Sequence, residues 1–421
     1  MPEESILSDD FIRELMNVGE VDILVGVPTY NDAATVGQVV QAIRAGLLKY
    51  FPRKRAAIIN PDGGSRDATQ DLVRAASISD MQHASNPQAL RTLHSISTTY
   101  GGGAATSRGL YAILAAADLL HCAACTVISP SSINIDPEWI PRLLQPVSQG
   151  EFDLVTPVYR RHKFDGLLVR NLVYPMTRAL YAKQVREPYP SEFALSGSLA
   201  SHLFSLNLWT QHEGRDGAEL CLTISAITGG YKIAQAFLGT KPRVDHAPSD
   251  LVAAMREGVG TLFSSLEEYP NWMASTTSQT VPTLWGEPEV MLEPLRVNRK
   301  RLYELFRSGV AELEPILTSI VSTSTLEHLQ HLATVPEQEF CYSNELWVKT
   351  VYEFAASYHK AVINRDHIIQ ALAPLYRGKT YTFLVENRDA PGDEVERHVE
   401  ELCGVFEHMK PYLGEIWNGG K

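Results

Sequence analysis

The chain has 421 residues, of which 44% are hydrophobic and 20% are charged, a composition typical of globular domains. This length is enough for two or three domains. The formal net charge of −12 argues against a broad nucleic-acid surface, because phosphate backbones are bound by clustered Lys and Arg side chains. A local cationic pocket for a single phosphate group remains compatible with this charge.

The lack of a recognisable targeting signal and the usage of cysteine together predict a cytoplasmic protein. No apolar run approaches the roughly 20 residues that a transmembrane helix needs, and the acidic start MPEESILSDD has no apolar signal core. The five cysteines are scattered, which indicates a reducing compartment. Cys122 and Cys125 have the spacing of metal ligands, but no second pair lies nearby, so we expect them to pack in a core.

The first 160 residues alternate strand and helix patterns. Five apolar, β-branched stretches predict strands: VDILVGVPTY (21–30), RAAIINPD (55–62), RTLHSISTT (91–99), CTVISP (125–130) and DLVTPVY (153–159). Between them, apolar residues at three-to-four spacing predict helices: AATVGQVVQAIRAGLLKYF (33–51), QDLVRAAS (70–77) and AATSRGLYAILAAADLL (104–120). This alternation predicts an α/β fold with a mostly parallel sheet and helices on both faces.

The remainder of the chain is less regular. We predict a helix at NLVYPMTRALYAK (171–183), a loop at REPYPSEFALSGS (186–198), a helix at GAELCLTISAITGG (217–230) and a strand at YKIAQAFLG (231–239). From about residue 275 the patterns are helical, after a stretch that resembles a linker, TSQTVPTLWGEPE (277–289). We therefore predict an α/β domain over 1–274 and a helical C-terminal domain over 275–421.

The last domain contains a helix pattern rich in aromatic residues, LWVKTVYEFAASYHKAVI (346–363). Trp347, Tyr352, Phe354 and Tyr358 recur at helical spacing, which predicts packing in a core. The alternative is that this region covers an acceptor or forms a homodimer contact.

Polar corners follow four of the predicted strands, and ligands of parallel α/β sheets bind beyond the carboxyl ends of strands. The corners are 28–31, 62–67, 100–103 and 129–136. Each one alone is also compatible with a capped strand-to-helix turn. The first two together favour ligand binding, and the glycines of the third suit a phosphate. The candidate ligand-binding residues at these corners are Pro28, Thr29, Tyr30, Asn31, Asp62, Gly63, Ser65, Gly102, Gly103, Ser129 and Ser131.

The order of these motifs resembles that of GT-A fold glycosyltransferases. PTYND, PDGGSRDAT, GGGAATSRGL and PEWI follow one another, and YRRHKFDGLLVRNLVYPMTRALY, FALSGSLAS and GAEL come after them. Over about residues 20–270 the chain resembles glucosyl-3-phosphoglycerate synthases, and its helical tail is similar to that of mannosylglycerate synthases. The resemblance implies a retaining transfer of a hexose from a UDP- or GDP-linked donor to a small hydroxylated acceptor such as glycerate or a polyol.

The resemblance also implies roles for further residues. Leu195, Ser196 and Gly197 match the family's Leu-Ser-Gly loop beside the reacting sugar carbon, and Glu219 matches its acidic residue that positions sugar or acceptor. His246 falls on the family's metal-binding histidine. For the acceptor, the resemblance points to Gly166 and Arg160.

The family's Asp-x-Asp metal motif is replaced in this chain. When the sequences are anchored on PEWI (137–140), the motif falls on Ser129-Pro130-Ser131. Hard cations such as Mg²⁺ and Mn²⁺ prefer carboxylate oxygens, so two serines predict a metal that is weakly bound or not used. We expect Asp136, five residues later, to cap the next helix.

Three functions remain open at this point. The chain is an active transferase that stabilises the leaving phosphate with protein cations, an active transferase with a weakly held metal, or a nucleotide-sugar-binding protein that has lost catalysis. The candidate cations are Arg160, Arg161, Lys163 and Arg243. A nucleotidyltransferase would need a glycine-rich, basic loop after the first strand, and PTYNDAAT lacks it. The family's acceptor-phosphate ligands fall on Leu167 and Val169, so we expect 3-phosphoglycerate to be a poor acceptor.

Overall fold

The structure is a computed structural model of the chain. It describes residues 7–78, 93–100, 106–206, 217–241, 250–274, 277–286 and 298–419. The chain divides into two compact units, each built from several segments. The first unit comprises 1–160, 189–242 and 281–290, and the second comprises 161–188, 243–280 and 291–421.

The first unit is built around a sheet of eight strands in the order β3-β2-β1-β4-β6-β5-β7-β8. Its strands are β1 (Ile23–Gly26), β2 (Ala56–Asp62), β3 (Leu93–Thr99), β4 (Ala124–Val127), β5 (Leu154–Arg160), β6 (Phe193–Ser196), β7 (Ile233–Thr240) and β8 (Thr283–Leu284). Every neighbouring pair is parallel except the two that β6 makes with β4 and β5. The carboxyl ends of the seven other strands therefore share one edge.

Helices cover both faces of this sheet. They are α1 (Asp9–Val18), α2 (Val36–Tyr50), α3 (Thr69–Ile78), α4 (Thr106–Leu119), α5 (Trp139–Ser148), α7 (Gly197–Ser205) and α8 (Ala218–Thr228), while α6 (Tyr174–Tyr181) lies in the second unit. Successive strand residues point to opposite faces. Val25 packs in a core with α2, α3 and α5. Gly26 faces Ile113 of α4, where an added Cβ would lie 2.4 Å from the Ile113 side chain.

The prediction of an α/β fold with a mostly parallel sheet covered on both faces is confirmed, and each predicted strand overlaps an observed one. Two local predictions are wrong. Residues 186–198 were predicted to be a loop, but Phe193–Ser196 forms the buried strand β6. The predicted linker contains β8, which pairs with β7. Both strands lie in segments rich in Pro, Ser, Thr and Gly, whose local pattern favours a loop, so the tertiary pairing defines them.

The second unit is helical. Its helices are α6 (Tyr174–Tyr181), α9 (Asp250–Met255), α10 (Thr261–Glu268), α11 (Arg299–Glu312), α12 (Glu314–Ile320), α13 (Thr323–Thr334), α14 (Asn344–Lys360), α15 (Arg365–Glu386), α16 (Gly392–His408) and α17 (Lys410–Trp417). Short π-helical turns precede α6 and α10, at Val169–Val173 and Arg256–Gly260. Short 3₁₀ turns lie at Pro270–Met273 and Glu337–Glu339.

The aromatic residues of α14 form the core of this unit, as predicted. Trp347, Tyr352 and Phe354 are fully buried and Tyr358 nearly so. The Trp347 indole N–H donates to the carbonyl of Asn171 at 2.9 Å, so its one polar group is satisfied. The units are defined by compactness, so they do not test the predicted functional boundary between residues 274 and 275, which stays a prediction.

Two further properties bear on the class of protein. Among the described helices, none combines the length and the apolar character needed to cross a bilayer. All five cysteines are free thiols, and Cys122 and Cys125 are buried. The prediction that this pair packs in the core is confirmed.

Candidate functional site

The candidate site lies at the sheet edge where β1, β2 and β4 end. The corners after β1 and β2 continue the pairing of their strands through a bridge between Thr29 and Asp62. The Gly63 N–H donates to the Thr29 carbonyl at 2.8 Å, and the Tyr100 N–H donates to the Asp62 carbonyl at 2.9 Å. Backbone hydrogen bonds alone therefore join the first three corners, independently of any side-chain contact.

The Asp62 carboxylate joins the first two corners through its side chain. It is 1% exposed. One oxygen accepts from the N–H groups of Gly64 (3.0 Å) and Ser65 (2.7 Å) and from the Gln70 amide (2.9 Å). The other accepts from the hydroxyls of Thr29 (2.8 Å) and Ser65 (2.7 Å). Five donors saturate this carboxylate, so Asp62 holds the corners in shape instead of offering free lone pairs.

The charge of Asp62 is fixed by these bonds. Burial would raise the pKa of Asp62, but the hydrogen bonds from Ser65, Gln70 and Thr29 outweigh it and lower the pKa below the ordinary value. Asp62 is therefore ionised at neutral pH. The predicted assignment of Asp62 to donor binding stays a prediction, and these contacts favour an indirect role through the loops that it positions.

The polar side chains of the first corner interlock with the second corner. The Asn31 N–H donates to the Ser65 hydroxyl at 2.8 Å, and the Asn31 side-chain oxygen accepts from the Arg66 N–H at 2.9 Å. Asn31 has a φ of 57°, a left-handed conformation that asparagine tolerates better than most residues. The Tyr30 side chain is 37% exposed, which leaves an aromatic face beside this edge.

Two further carboxylates make this region acidic. Asp32 accepts from the Tyr30 N–H at 2.8 Å, and Asp67 accepts from the Ala33 N–H at 3.2 Å. Burial and the charges of Asp67 and Asp62 raise the pKa of Asp32 above its ordinary value. Acidic and amide oxygens at such an edge suit the N–H and hydroxyl donors of a nucleoside.

The third corner is described only at Tyr100. Gly102 and Gly103, the predicted phosphate-binding glycines, lie outside the described residues. Tyr100 is buried, and this burial together with the Asp62 charge raises its pKa to about 12. An added Cβ at Gly109 of α4 would lie 2.9 Å from the Pro28 Cβ and 3.0 Å from the Tyr100 hydroxyl oxygen. The absence of a side chain there lets α4 pack closely against both corners.

The fourth corner is a compact turn without a carboxylate at its first positions. Ser129 is half-buried and Ser131 is exposed. The Ser129 hydroxyl accepts from the Ser131 N–H at 3.3 Å, and the Ser129 carbonyl accepts from the Ser132 N–H at 3.2 Å. Asp136 accepts from the Glu138 N–H at 2.8 Å, immediately before α5 begins at Trp139. The N-cap position is Glu138 and no side chain caps the helix, so Asp136 stabilises the turn before the helix instead of capping it as predicted.

Glu192 is a residue of this edge that the sequence reasoning missed. It immediately precedes β6, and the antiparallel register pairs Phe193 with Val127 at the carboxyl end of β4. Its carboxylate is 1% exposed and accepts hydrogen bonds from the hydroxyls of Ser132 and Tyr159. In the sequence the only signal is that Glu192 directly precedes the short apolar run Phe193-Ala194-Leu195, within a segment predicted to be a loop.

Leu195, Ser196 and Gly197 lie towards the opposite end of the sheet from these corners, and their predicted catalytic role stays a prediction. Because β6 is antiparallel, Ser196 pairs with Ala124 at the amino end of β4. The Ser196 hydroxyl caps α7 by accepting from the Leu199 N–H at 3.3 Å. An added Cβ at Gly197 would lie 1.9 Å from the Cys122 carbonyl oxygen, so Leu-Ser-Gly is explained by capping and packing.

The remaining predicted residues have different outcomes. Glu219 is the second residue of α8, which packs against α4 and α7, and its role stays a prediction. Arg160 ends β5 opposite Thr240 of β7, at the same sheet edge as the corners. Gly166 belongs to the second unit, with a φ of 65°. His246 and Arg243 lie outside the described residues.

Two of the predicted cations have partners within the second unit. Arg161 forms an ion pair with Glu187 at 2.8 Å. The Lys163 ammonium donates to the carbonyls of Arg388 and Ala390, both at 2.8 Å. These contacts give both side chains a structural function.

The fourth corner does not fit a divalent cation. Ser129 and Ser131 offer only neutral hydroxyls, and the Glu192 carboxylate is already engaged by Ser132 and Tyr159. Across the described ranges, no group of three or more His, Cys, Asp and Glu side chains is arranged to hold a metal. We therefore derive no step through a metal.

Comparisons with solved structures return glucosyl-3-phosphoglycerate synthase from Mycobacterium tuberculosis. A crystal structure with Mg²⁺ and uridine diphosphate is 23% identical, with a TM-score of 0.43 over 62% of this chain and 83% of that one. Another with Mn²⁺, uridine diphosphate and glucosyl-3-phosphoglycerate is 22% identical, with a TM-score of 0.43 over 64% and 86% of the two chains. No protein-family model and no curated protein matches the chain. At these values the similarity assigns no activity, which must rest on the residues.

Proposed function

We propose that this protein is a GT-A type glycosyltransferase that moves a hexose from a UDP- or GDP-linked donor to a small hydroxylated acceptor such as glycerate or a polyol. The observation that carries the proposal is the interlocked edge after β1 and β2, where Asp62 fixes the loops of Thr29 and Ser65. Polar loops at the carboxyl ends of adjacent parallel strands form the usual ligand site of such sheets. The order of the motifs PTYND, PDGGSRDAT and PEWI supports a nucleotide-sugar donor.

The reaction that we propose proceeds with retention at the anomeric carbon. The bond from this carbon to the diphosphate oxygen breaks, and a bond to an acceptor hydroxyl oxygen forms on the same face. The acceptor proton passes to an oxygen of the departing phosphate, so the protein need not supply a strong base. The departing diphosphate gains negative charge, and fixed donors or cations must stabilise it. We assign Glu219 to orienting sugar or acceptor hydroxyls.

A second candidate is a nucleotide-sugar-binding protein without catalysis. The serines at 129 and 131 favour it, because they remove the charges that hold a catalytic metal in related enzymes. This protein would keep the loops after β1 and β2 for binding the nucleoside, and it would bind the donor without turning it over. We expect a cytoplasmic location for either function, since the free cysteines suit a reducing compartment.

A screen of donor use tests the proposal. The chain is incubated with UDP- and GDP-hexoses and with glycerate or polyol acceptors, in Mn²⁺ and after chelation with EDTA. We expect release of the nucleoside diphosphate and formation of a glycoside, both of which persist in EDTA. Donor binding without turnover across all acceptors would support the second candidate, and absence of donor binding would contradict both.

The acceptor is expected to carry no phosphate group. Leu167 and Val169 pack against the apolar cluster of Tyr174, Val395 and Val399 within the second unit. Neither side chain can donate a hydrogen bond to a phosphate, so we expect 3-phosphoglycerate to bind at least about tenfold more weakly than glycerate. Isothermal titration in the presence of the donor's nucleoside diphosphate measures this ratio. Micromolar affinity for 3-phosphoglycerate would contradict the prediction.

A further inference from the structure

Lys241 lies at the candidate edge and was not among the predicted cations. It directly follows β7, which is parallel to β5, and the register pairs Arg160 with Thr240 at the ends of these strands. The ammonium of Lys241 therefore belongs to the same sheet edge as the corners after β1, β2 and β4. Its side chain is 23% exposed, so it can reach a ligand from a partly dehydrated position.

Contacts with its neighbours hold Lys241 in place. Its ammonium donates to the Ser191 hydroxyl at 2.8 Å and lies 3.7 Å from a Glu192 carboxylate oxygen. It also lies over the Tyr159 ring, 5.0 Å from the ring centroid. These contacts place a full positive charge beside the buried Glu192 carboxylate.

Glu192 connects Lys241 to the fourth corner. The same carboxylate accepts from the Ser132 hydroxyl, and Ser132 is the neighbour of Ser131. The Asn134 side chain donates to the Thr240 carbonyl, which ties the corner to the end of β7 independently. The Glu192 carboxylate thus contacts both the Lys241 ammonium and the turn in which serines replace the two aspartates.

The hydrogen bonds of Glu192 make Lys241 available to an anion. If the ammonium turns towards a ligand, the carboxylate keeps its bonds from Ser132 and Tyr159 and is not left as an unpaired buried charge. Ser129 and Ser131, which stand at the positions of the two aspartates, add no negative charge to this corner. The Lys241 ammonium can therefore supply positive charge beside it without a metal.

We propose that Lys241 stabilises the leaving diphosphate, in place of the divalent cation that an Asp-x-Asp corner would hold. This inference rests on the proposed function. When the bond from the anomeric carbon to the diphosphate breaks, the new negative charge on the phosphate oxygen is met by the Lys241 ammonium. Lys241 binds the leaving group of the donor and does not bind its nucleoside.

The test compares diphosphates with nucleosides in the full-length protein. UDP, GDP, uridine and guanosine are titrated by calorimetry in EDTA into the wild type, Lys241→Met, Lys241→Arg and Lys232→Met. Lys232 is exposed and lies at the opposite end of β7, so Lys232→Met is the matched control. We expect Lys241→Met to weaken binding of the preferred diphosphate at least about tenfold, with nucleoside binding unchanged. Lys241→Arg should restore most of it.

The outcomes separate the two proposals. Equal affinity of wild type and Lys241→Met for the diphosphate in EDTA overturns the role of Lys241, as does a wild type that binds diphosphate only with Mn²⁺. If the wild type binds no diphosphate and no nucleoside in EDTA or in Mn²⁺, the proposed function itself is overturned. Unchanged nucleoside binding shows that the substituted protein has kept its folded edge.

Discussion

The Asp62→Asn variant is expected to lose about 2–4 kcal/mol of unfolding free energy at pH 7 and most of its affinity for the donor nucleotide. The Asp62 carboxylate is buried and accepts from five donors, two of them backbone N–H groups. The side chain introduced by Asp62→Asn would present one oxygen and one NH₂ group. Because all partners of the carboxylate are donors, the NH₂ group would face other donors and could not accept from them. The loops after β1 and β2 then lose the contact that joins them.

The pH dependence of this loss has a definite sign. The pKa of Asp62 is lower in the folded protein than its ordinary value of about 4, so folding favours the ionised form. The stability that Asp62 contributes is present above pH 4 and is lost as the pH falls through the folded-state pKa. The difference between wild type and Asp62→Asn should therefore shrink below pH 4.

Urea unfolding at pH 7 and pH 3, together with nucleotide titration, measures both effects. Asp71→Asn is the matched control, because Asp71 is an exposed aspartate on the adjacent helix α3. We expect this control to change the unfolding free energy by less than about 0.5 kcal/mol. If Asp62→Asn unfolds like Asp71→Asn at pH 7, the carboxylate does not hold the corners together.

Much of the first unit could be predicted because its signals are local. Strands such as Ala56–Asp62 are buried throughout and contain residues typical of parallel sheets. Helix α2 is amphipathic over Val36–Tyr50. Once the strands are parallel, their carboxyl ends must share an edge, which brings the first two corners together.

The rest depended on a strand direction that no local pattern indicates. Phe193–Ser196 is only four residues long, and its antiparallel insertion between β4 and β5 is a tertiary event. The three residues of the Leu-Ser-Gly match therefore lie towards the opposite end of the sheet from the corners. The same strand direction brings Glu192 beside Ser132. Lys241 was not among the predicted cations because the sequence does not show that its side chain lies beside Glu192.

The Ser129→Asp/Ser131→Asp variant is expected to gain a Mn²⁺ dependence, which the proposed role of Lys241 makes unnecessary in the wild type. Ser131 is exposed, and an aspartate at 129 can keep the bond that the Ser129 hydroxyl accepts from the Ser131 N–H, so the turn should tolerate both changes. Without metal, two new negative charges beside the diphosphate should weaken nucleotide binding at least about tenfold. With Mn²⁺ the carboxylates bind the cation, and the affinity should recover by a similar factor.

Nucleotide titration of this variant in EDTA and in Mn²⁺ measures both effects, and the two have opposite signs. The matched control is Ser129→Asn/Ser131→Asn, which has nearly the same shape without the charge and should respond to neither condition. Equal responses of the two variants would mean that Ser129 and Ser131 do not occupy a metal-motif position.

Adding Lys241→Met to the aspartate variant separates the two sources of positive charge. Its nucleotide affinity should be low in EDTA and should recover in Mn²⁺, because a cation bound at the corner then replaces the missing ammonium.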